Sequence, residues 1–353
     1  MELIIWIADL RFIEMTLLHM DGFDSYAIAS DLSMEYVSYT CGVVTNAGRY
    51  EGGALYFNDY DISIIWSPRS SFSQFTQVWT GFALQIQEVT GLGIITSFAS
   101  LAGKETEIYY NSSTGAWDIV VSGIVATETY LLTAGDWYWV EIYYLMKAES
   151  VGNVNVSVMG TEVVSYSGVT SKFGSGFFYA VILGDSGDGL YPIYIDDWYI
   201  GDTSGNYGDS RIQTLLPTSD AGPNNGTPST AGDHYLMVDE QQWNSSNNIV
   251  LSNTSGQEEI FNTAILTGNI EIVHAVRILA VVEKTSTGNV FANTTIISNG
   301  VVNSYGGSFT PLLETYSHVF NIFEYGNVNA NSAPASSWTN VLVNSSSCGI
   351  TII

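Results

Sequence analysis

The sequence predicts an all-β chain: a sandwich of two antiparallel sheets followed by a second, smaller β-sandwich-like domain. Three observations predict it. β-branched and aromatic residues recur at period 2 in short runs; Val154, Val156 and Val158 face one way, Asn155 and Ser157 the other. Gly-, Asn- and Asp-rich turn signals separate these runs at short spacing, which is the pattern of antiparallel meanders. The chain is 46% hydrophobic and 13% aromatic with only 12% charged residues, so it has a core to bury and leaves Ser, Thr, Asn and Gly to face solvent.

The elements follow in order. Residues 1–15 (MELIIWIADLRFIEM) show some helical spacing and read as an N-terminal extension. The first sandwich spans residues 16–202. Its strand runs are 78–87, 105–110, 116–121, 137–145, 153–159 and 177–183, and Asn111–Gly115, Ala134–Asp136, Val151–Asn153 and Gly184–Gly187 are turns between them. Trp137 and Trp139 share one face, Tyr138 and Val140 the other. Residues 203–233 carry the Pro cluster Pro217, Pro223 and Pro228 and read as a linker or crossing loop. Residues 234–353 form the second β-domain. Its 270–282 run is apolar on both faces, 290–298 and 309–323 read as further strands, and TNVLVNSSSCGITII reads as a closing hairpin.

Charge narrows the partners. Asp and Glu number 35 against 9 Lys and Arg, a net charge of −26. Such a chain lacks the basic face that phosphate binding needs and is repelled by an anionic lipid surface, so neither nucleic acid nor membrane insertion is expected. No run reaches the roughly 18–20 uncharged apolar residues of a spanning helix. Glu2, Asp9, Arg11 and Glu14 interrupt the apolar start, which has no signal-peptide pattern. The sequons, such as those at Asn155 and Asn344, are expected to carry no glycan. Cys41 and Cys348 lie at opposite ends of the chain and read as buried thiols, with a long-loop disulfide between them left open.

Four local patterns carry a resemblance. MDGFDSY (Met20 to Tyr26), GRYEGGALYF (Gly48 to Phe57), and WYWVEIYY (Trp137 to Tyr144) with GNVNVSVMGTEV come in order, and YIDDWYIGD (Tyr194 to Asp202) closes the set. Together they resemble the strands of concanavalin A-like (laminin-G-like) lectin/glucanase jelly rolls. With GDSRIQTLLPTSDAG and SSWT (Ser336 to Thr339) further on, the layout resembles uncharacterised structural proteins of tailed bacteriophages. The resemblance implies a jelly roll whose first and last strands, near Phe23 and Trp198, pair. It also implies a virion component assembled in the host cytoplasm: a capsid decoration, fibre or tail-associated homo-oligomer among other virion proteins, with host-surface glycans as an accessory ligand.

The chemistry is weighed against that reading. Glucanases of this fold carry E-x-D-x-x-E or E-x-D-x-E on one strand, aiming paired carboxylates into a cleft. Here only Glu105, Glu107 and Glu141 come near, without a third member, and no G-x-S-x-G or nucleotide-binding glycine loop occurs. His274, among apolar neighbours, reads as a core residue. The expectation is therefore a protein that is not an enzyme, the alternative being a secreted carbohydrate-binding module or a polysaccharide depolymerase. Trp66, Trp79 and Trp117 are the candidate sugar platforms. A structural Ca2+ is the candidate metal, with Asp21, Asp24 and Asp197 as ligands if the end strands pair, and Asp185 to Asp188 as a weaker set. Alternation puts Asp196 and Asp197 on opposite faces, so only one serves.

Overall fold

The computed structural model describes residues 2–7, 17–24, 26, 32, 36, 38–44, 46–50, 52–57, 63–67, 75–89, 91–148, 151–184, 192–202, 207–240, 248–252, 254–268, 273–282, 291–298, 301–309, 317–324 and 339–353. The chain divides into two compact units. One comprises Arg11–Phe23 and Ile28–Ser210; the other comprises Met1–Leu10, Asp24–Ala27 and Arg211–Ile353.

The chain opens with β1 (Glu2–Ile7). The strands of the first unit are β2 (Leu17–Asp21), β3 (Ser38–Tyr39), β4 (Gly42–Val44), β5 (Ala54–Phe57), β6 (Ile64–Trp66), β7 (Gln77–Ile86), β8 (Leu92–Ser100), β9 (Gly103–Asn111), β10 (Ala116–Val120), β11 (Ile124–Thr129), β12 (Trp137–Leu145), β13 (Gly152–Val158), β14 (Thr161–Gly168), β15 (Ala180–Leu183) and β16 (Ile193–Gly201). They make a seven-stranded sheet in the order β11-β10-β9-β8-β15-β6-β3 and an eight-stranded sheet in the order β14-β13-β12-β7-β16-β5-β4, with β2 also on β16. The sheets stack on their alternating apolar faces. Phe82, Val140, Ile142 and Val156 of the eight-stranded sheet are fully buried, as are Phe98, Ile108, Trp117 and Val181 of the other. The Phe98 and Tyr144 rings stack across the layers at 4.3 Å.

The expected pairing of the first and last strands is present. Antiparallel pairs Trp198↔Asp21, Tyr199↔Met20 and Ile200↔His19 join β16 to β2. The first half of β16 pairs instead with β5, through Ile193↔Phe57 to Ile195↔Leu55. The change of neighbour falls at a bulge opposite β7, between the pairs Asp196↔Ala83 and Tyr199↔Gly81. Asp197 sits in this bulge with φ 53°, a left-handed conformation that Asp tolerates better than most residues.

The second unit holds β17 (Arg211–Leu215), β18 (Pro217–Asp220), β19 (Thr227–Pro228), β20 (Ile249–Val250), β21 (Glu258–Thr263), β22 (Val273–Val282), β23 (Ala292–Ser298), β24 (Val301–Phe309), β25 (Ser317–Glu324), α1 (Asn340–Asn344) and β26 (Ser347–Ile352). Its sheets run β17-β1-β22-β25 and β18-β21-β26-β23-β24, with β19 paired to β20. Leu215, Val273, Val276 and Ile278 meet Ile296, Leu342, Val343 and Cys348 in one core.

Three expectations change here. Residues 2–7 are no extension: β1 is a central strand between β17 and β22. The expected linker contains β17, β18 and β19. The expected closing hairpin is a short helix followed by a strand, because Thr339 Oγ1 caps the turn by accepting from Leu342 N–H at 3.1 Å. Cys41 and Cys348 are both free and buried. Among the described residues no helix is long and apolar enough to cross a membrane. The turn and weaker metal set at 185–188 lie outside the described residues, as do residues 8–16, Ser336 and the side chain of His274.

Candidate functional site

Strand register lays out the outer face of the eight-stranded sheet in rows across the strands. One row runs Asn155, Tyr143, Trp79, Gly201; the next runs Ser157, Glu141, Gly81, Tyr199. The third is Trp139, Ala83, Asp196, and the fourth is Trp137, Gln85, Tyr194, Tyr56. Successive rows lie two residues apart along each strand, so the four span about 20 Å at ~3.3 Å per residue. The bulge at Asp197 reverses the parity of β16 and sends Trp198 into the sandwich and Tyr199 to this outer face.

The two middle rows hold a polar cluster. Tyr199 Oη donates to Glu141 Oε1 at 2.8 Å, and Gly208 N–H donates to the same oxygen at 3.0 Å. Glu141 and Tyr199 are both buried. Burial, followed by the neighbouring Glu141 charge, holds the Tyr199 phenol well above its ordinary pKa of 10.0, so it stays a donor. Gly81 makes room for this arrangement. A Cβ there would stand 2.2 Å from Tyr199 Cε1 and 2.9 Å from Trp139 Cζ2. The Trp139 and Tyr199 rings stack at 6.0 Å, and Tyr207 meets Tyr199 edge-on at 5.2 Å.

Arg49 lies over this cluster. Its guanidinium sits 5.8 Å from the Trp139 ring centre and 4.9 Å from that of Tyr50. It forks onto Asp209, Nη1 to Oδ1 at 2.5 Å and Nη2 to Oδ2 at 2.8 Å. Its backbone N–H donates to Asp196 Oδ2 at 2.7 Å, and Asp196 Oδ1 accepts from Asp197 N–H at 2.7 Å. Burial would lower the Arg49 pKa, but Asp209, Tyr50 and Asp197 outweigh it and raise it. Trp139 Nε1–H, in a side chain 1% exposed, has no hydrogen-bond partner.

The outer rows are aromatic and half-buried. Trp79 and Tyr143 pack at 4.9 Å, and so do Tyr56 and Tyr194. Trp79 Nε1 is a second indole donor with no partner.

The sequence-based candidates fare unevenly. Trp79 lies on this face. Trp66 and Trp117 do not offer a face to a sugar: both are buried, Trp66 against His19 and Phe75, Trp117 against Tyr110 with Nε1–H on the Tyr130 carbonyl. Alternation alone does not tell core aromatics from surface ones. Glu105 and Glu107 do not act as a pair, since Glu105 is the extra residue of a bulge on β9, opposite the Phe98–Ala99 step of β8, and leaves the alternation of its strand. Glu105 is instead buried under the 171–175 loop.

Asp21 and Asp197, two of the calcium candidates, flank the pairing of β2 with β16. Asp21 Oδ1 accepts from Phe23 N–H at 2.8 Å and Oδ2 from Tyr36 Oη at 2.6 Å. Asp197 occupies the bulge beside Arg49. Among the described residues no group of three or more His, Cys, Asp or Glu is placed to hold a metal ion.

Reading the sequence missed Arg49, Trp139, Asp196, Tyr199 and Asp209 as site residues. The usable signal was the Asp196-Asp197 pair within a strand run, since Asp takes the left-handed conformation more readily than most residues.

No family model matches this chain and no curated protein does. Solved structures do. An endo-β-1,4-glucuronan lyase from the fungus Trichoderma reesei is 14% identical over 53% of this chain and 96% of its own, with TM-score 0.39. The alginate lyase Aly36B is 13% identical over 51% and 95%, with TM-score 0.34. A Bacillus subtilis protein of unknown function with a galectin-like fold is 11% identical over 54% and 98%, with TM-score 0.38. The likeness is one of fold. The expectation of a protein that is not an enzyme is corrected at this point: the matched structures include two lyases. A missing glucanase carboxylate run speaks to one kind of catalysis alone.

Proposed function

We propose that the first unit binds a carbohydrate chain along the outer face of its eight-stranded sheet. One observation carries this reading: half-buried aromatic pairs, Trp79 with Tyr143 and Tyr56 with Tyr194, flank a buried Glu141–Tyr199–Arg49 cluster on a single face. Aromatic rings take the C–H faces of pyranose rings, and fixed polar groups between them orient the hydroxyls. The length of the face suits several sugar units.

The test is calorimetric titration of the full chain with an oligosaccharide panel, alongside the double variants Trp79→Ala/Tyr143→Ala and Tyr56→Ala/Tyr194→Ala. Binding lost in both variants, with circular dichroism unchanged, supports the reading. A chain that binds no sugar overturns it. Following new reducing ends, and absorbance at the wavelength of unsaturated sugars, separates a binding module from a depolymerase.

The virion setting is a second reading, supported by the ordered motifs from Met20 to Asp202. Mass spectrometry of purified particles tests it: the chain is expected at stoichiometric abundance, together with a homo-oligomer by light scattering.

A further inference from the structure

We infer that the ligand of this face is an uncharged glycan, one without carboxylate or sulfate groups. The inference rests on the carbohydrate reading and narrows its substrate class.

Charge is the first argument. The four rows contain no Lys or Arg. Arg49 lies over the middle rows, and its fork is already closed on Asp209. Among the described residues, Glu141, Asp196, Asp197 and Asp209 stand against this cation. An anionic sugar placed here meets an excess of carboxylates in a partly dry setting, where repulsion is weakly screened. The chain's net charge of −26 repels a polyanion at longer range as well.

The donors are the second argument. Trp139 Nε1–H is buried and has no partner among the described residues, and the indole edge next to it lies 2.9 Å from where a Cβ on Gly81 would stand. Trp79 Nε1–H is the other unpartnered donor on this face. Three of the cluster's carboxylates accept hydrogen bonds within it: Asp209 and Asp196 from Arg49, and Glu141 from Tyr199 and Gly208. The face thus offers neutral N–H donors with aromatic walls, from which the hydroxyl and ring oxygens of a sugar can accept, while the carboxylates around them disfavour an anionic acceptor.

The experiment titrates the full chain with two panels at low and high salt. The neutral panel is gluco-, xylo-, manno- and galacto-oligosaccharides; the acidic panel is oligoglucuronate, oligoalginate and sialyllactose. Neutral binding at least about tenfold tighter than acidic binding is expected, with the gap narrowing as salt rises. Acidic binding that equals or exceeds neutral binding overturns the inference and leaves the carbohydrate reading standing. Binding to neither panel defeats the carbohydrate reading itself.

Two variants sharpen the result. Asp209→Asn removes one negative charge and leaves a single acceptor for the Arg49 fork, so the preference shifts several-fold toward the acidic panel; an unchanged preference counts against the inference. Trp139→Phe keeps an aromatic wall without the donor and weakens neutral binding by about tenfold. If Trp139→Phe does not fold, Trp79→Phe makes the same test at the second donor. Undiminished binding in a folded variant removes the donor argument.

Discussion

Tyr199 reaches Glu141 across β7, passing over Gly81, and its hydroxyl donates to Glu141 Oε1 at 2.8 Å. Gly208 N–H donates to the same oxygen at 3.0 Å. A buried carboxylate is sensitive to the loss of a donor. Tyr199→Phe is therefore expected to cost about 1–3 kcal/mol, read as a shift of the urea unfolding midpoint. Glu141→Gln keeps an acceptor facing the phenol and is expected to cost less. An equal loss in both variants would show that the charge, not the hydrogen bond, matters at this position.

The same pair sets an alkaline limit. Burial first, then Glu141, raises the Tyr199 phenol well above 10.0, and burial also raises Tyr144. A native pKa above the unfolded one means that the native state holds its proton longer. The stability this contributes is complete below about pH 10, the unfolded phenol value, and falls as pH rises beyond it. Unfolding midpoints measured across the alkaline range should decline above that point, with a shallower slope in Tyr199→Phe.

Gly81→Ala tests the crossing itself. The added Cβ would lie 2.2 Å from Tyr199 Cε1, and on the other side it meets Trp139 Cζ2 at 2.9 Å. Neither ring can retreat into the sheet, so Tyr199 must swing off Glu141. The strain is expected to cost about 1–3 kcal/mol, with the lost hydrogen bond in addition. The near-ultraviolet circular dichroism of the stacked Trp139 and Tyr199 rings should weaken, while the far-ultraviolet signal stays β.

These residues also show what was legible in the sequence. The alternation of WYWVEIYY placed Trp137, Trp139 and Glu141 on one face, and the structure keeps them there. The motif order implied that the strand near Phe23 would meet the strand near Trp198, and β2 does pair with β16. Both properties are written locally, as a period of 2 and as strand order. What was lost depends on one inserted residue or on distant partners. The bulge at Asp197 inverts every side chain after it, so plain alternation puts Tyr199 inside and Trp198 outside. Arg49 and Asp209 are 160 residues apart, and no local pattern announces their fork. Trp66 and Trp117 look like Trp79 in sequence and differ only in which sheet face they occupy.

The two thiols give a separate test of the packing. Cys41 and Cys348 are free and buried, and burial pushes each thiol up to about 12. The thiolate is the reactive form, and very little is present near neutral pH. A thiol-specific chromophore at about pH 8 should therefore react with neither residue in the native chain, and with both in denaturant without added reductant. Fast native labelling of either one would contradict its placement in a core.

Glu105 lies on the other sheet and holds a loop. Its carboxylate accepts from Ser100 Oγ at 2.5 Å, Ser171 Oγ at 2.9 Å, Phe173 N–H at 2.9 Å and also from Ser175 Oγ. Burial acts to raise its pKa, but the donors from Phe173, Ser100, Ser175 and Ser171 outweigh it and hold it below the usual carboxylate value. A depressed native pKa contributes stability that is present above the unfolded value of about 4.3 and is lost as pH falls through the native one. Acidification should thus release the 171–175 loop, and Glu105→Gln should release it at neutral pH, because the amide cannot accept four hydrogen bonds. Hydrogen exchange at the Phe173 amide reports this directly. Protection should fall in the variant at neutral pH and in the parent chain only under acid, while the amides of β12 keep theirs. Loss of protection along β12 as well would mean that Glu105 supports the whole sandwich rather than this loop.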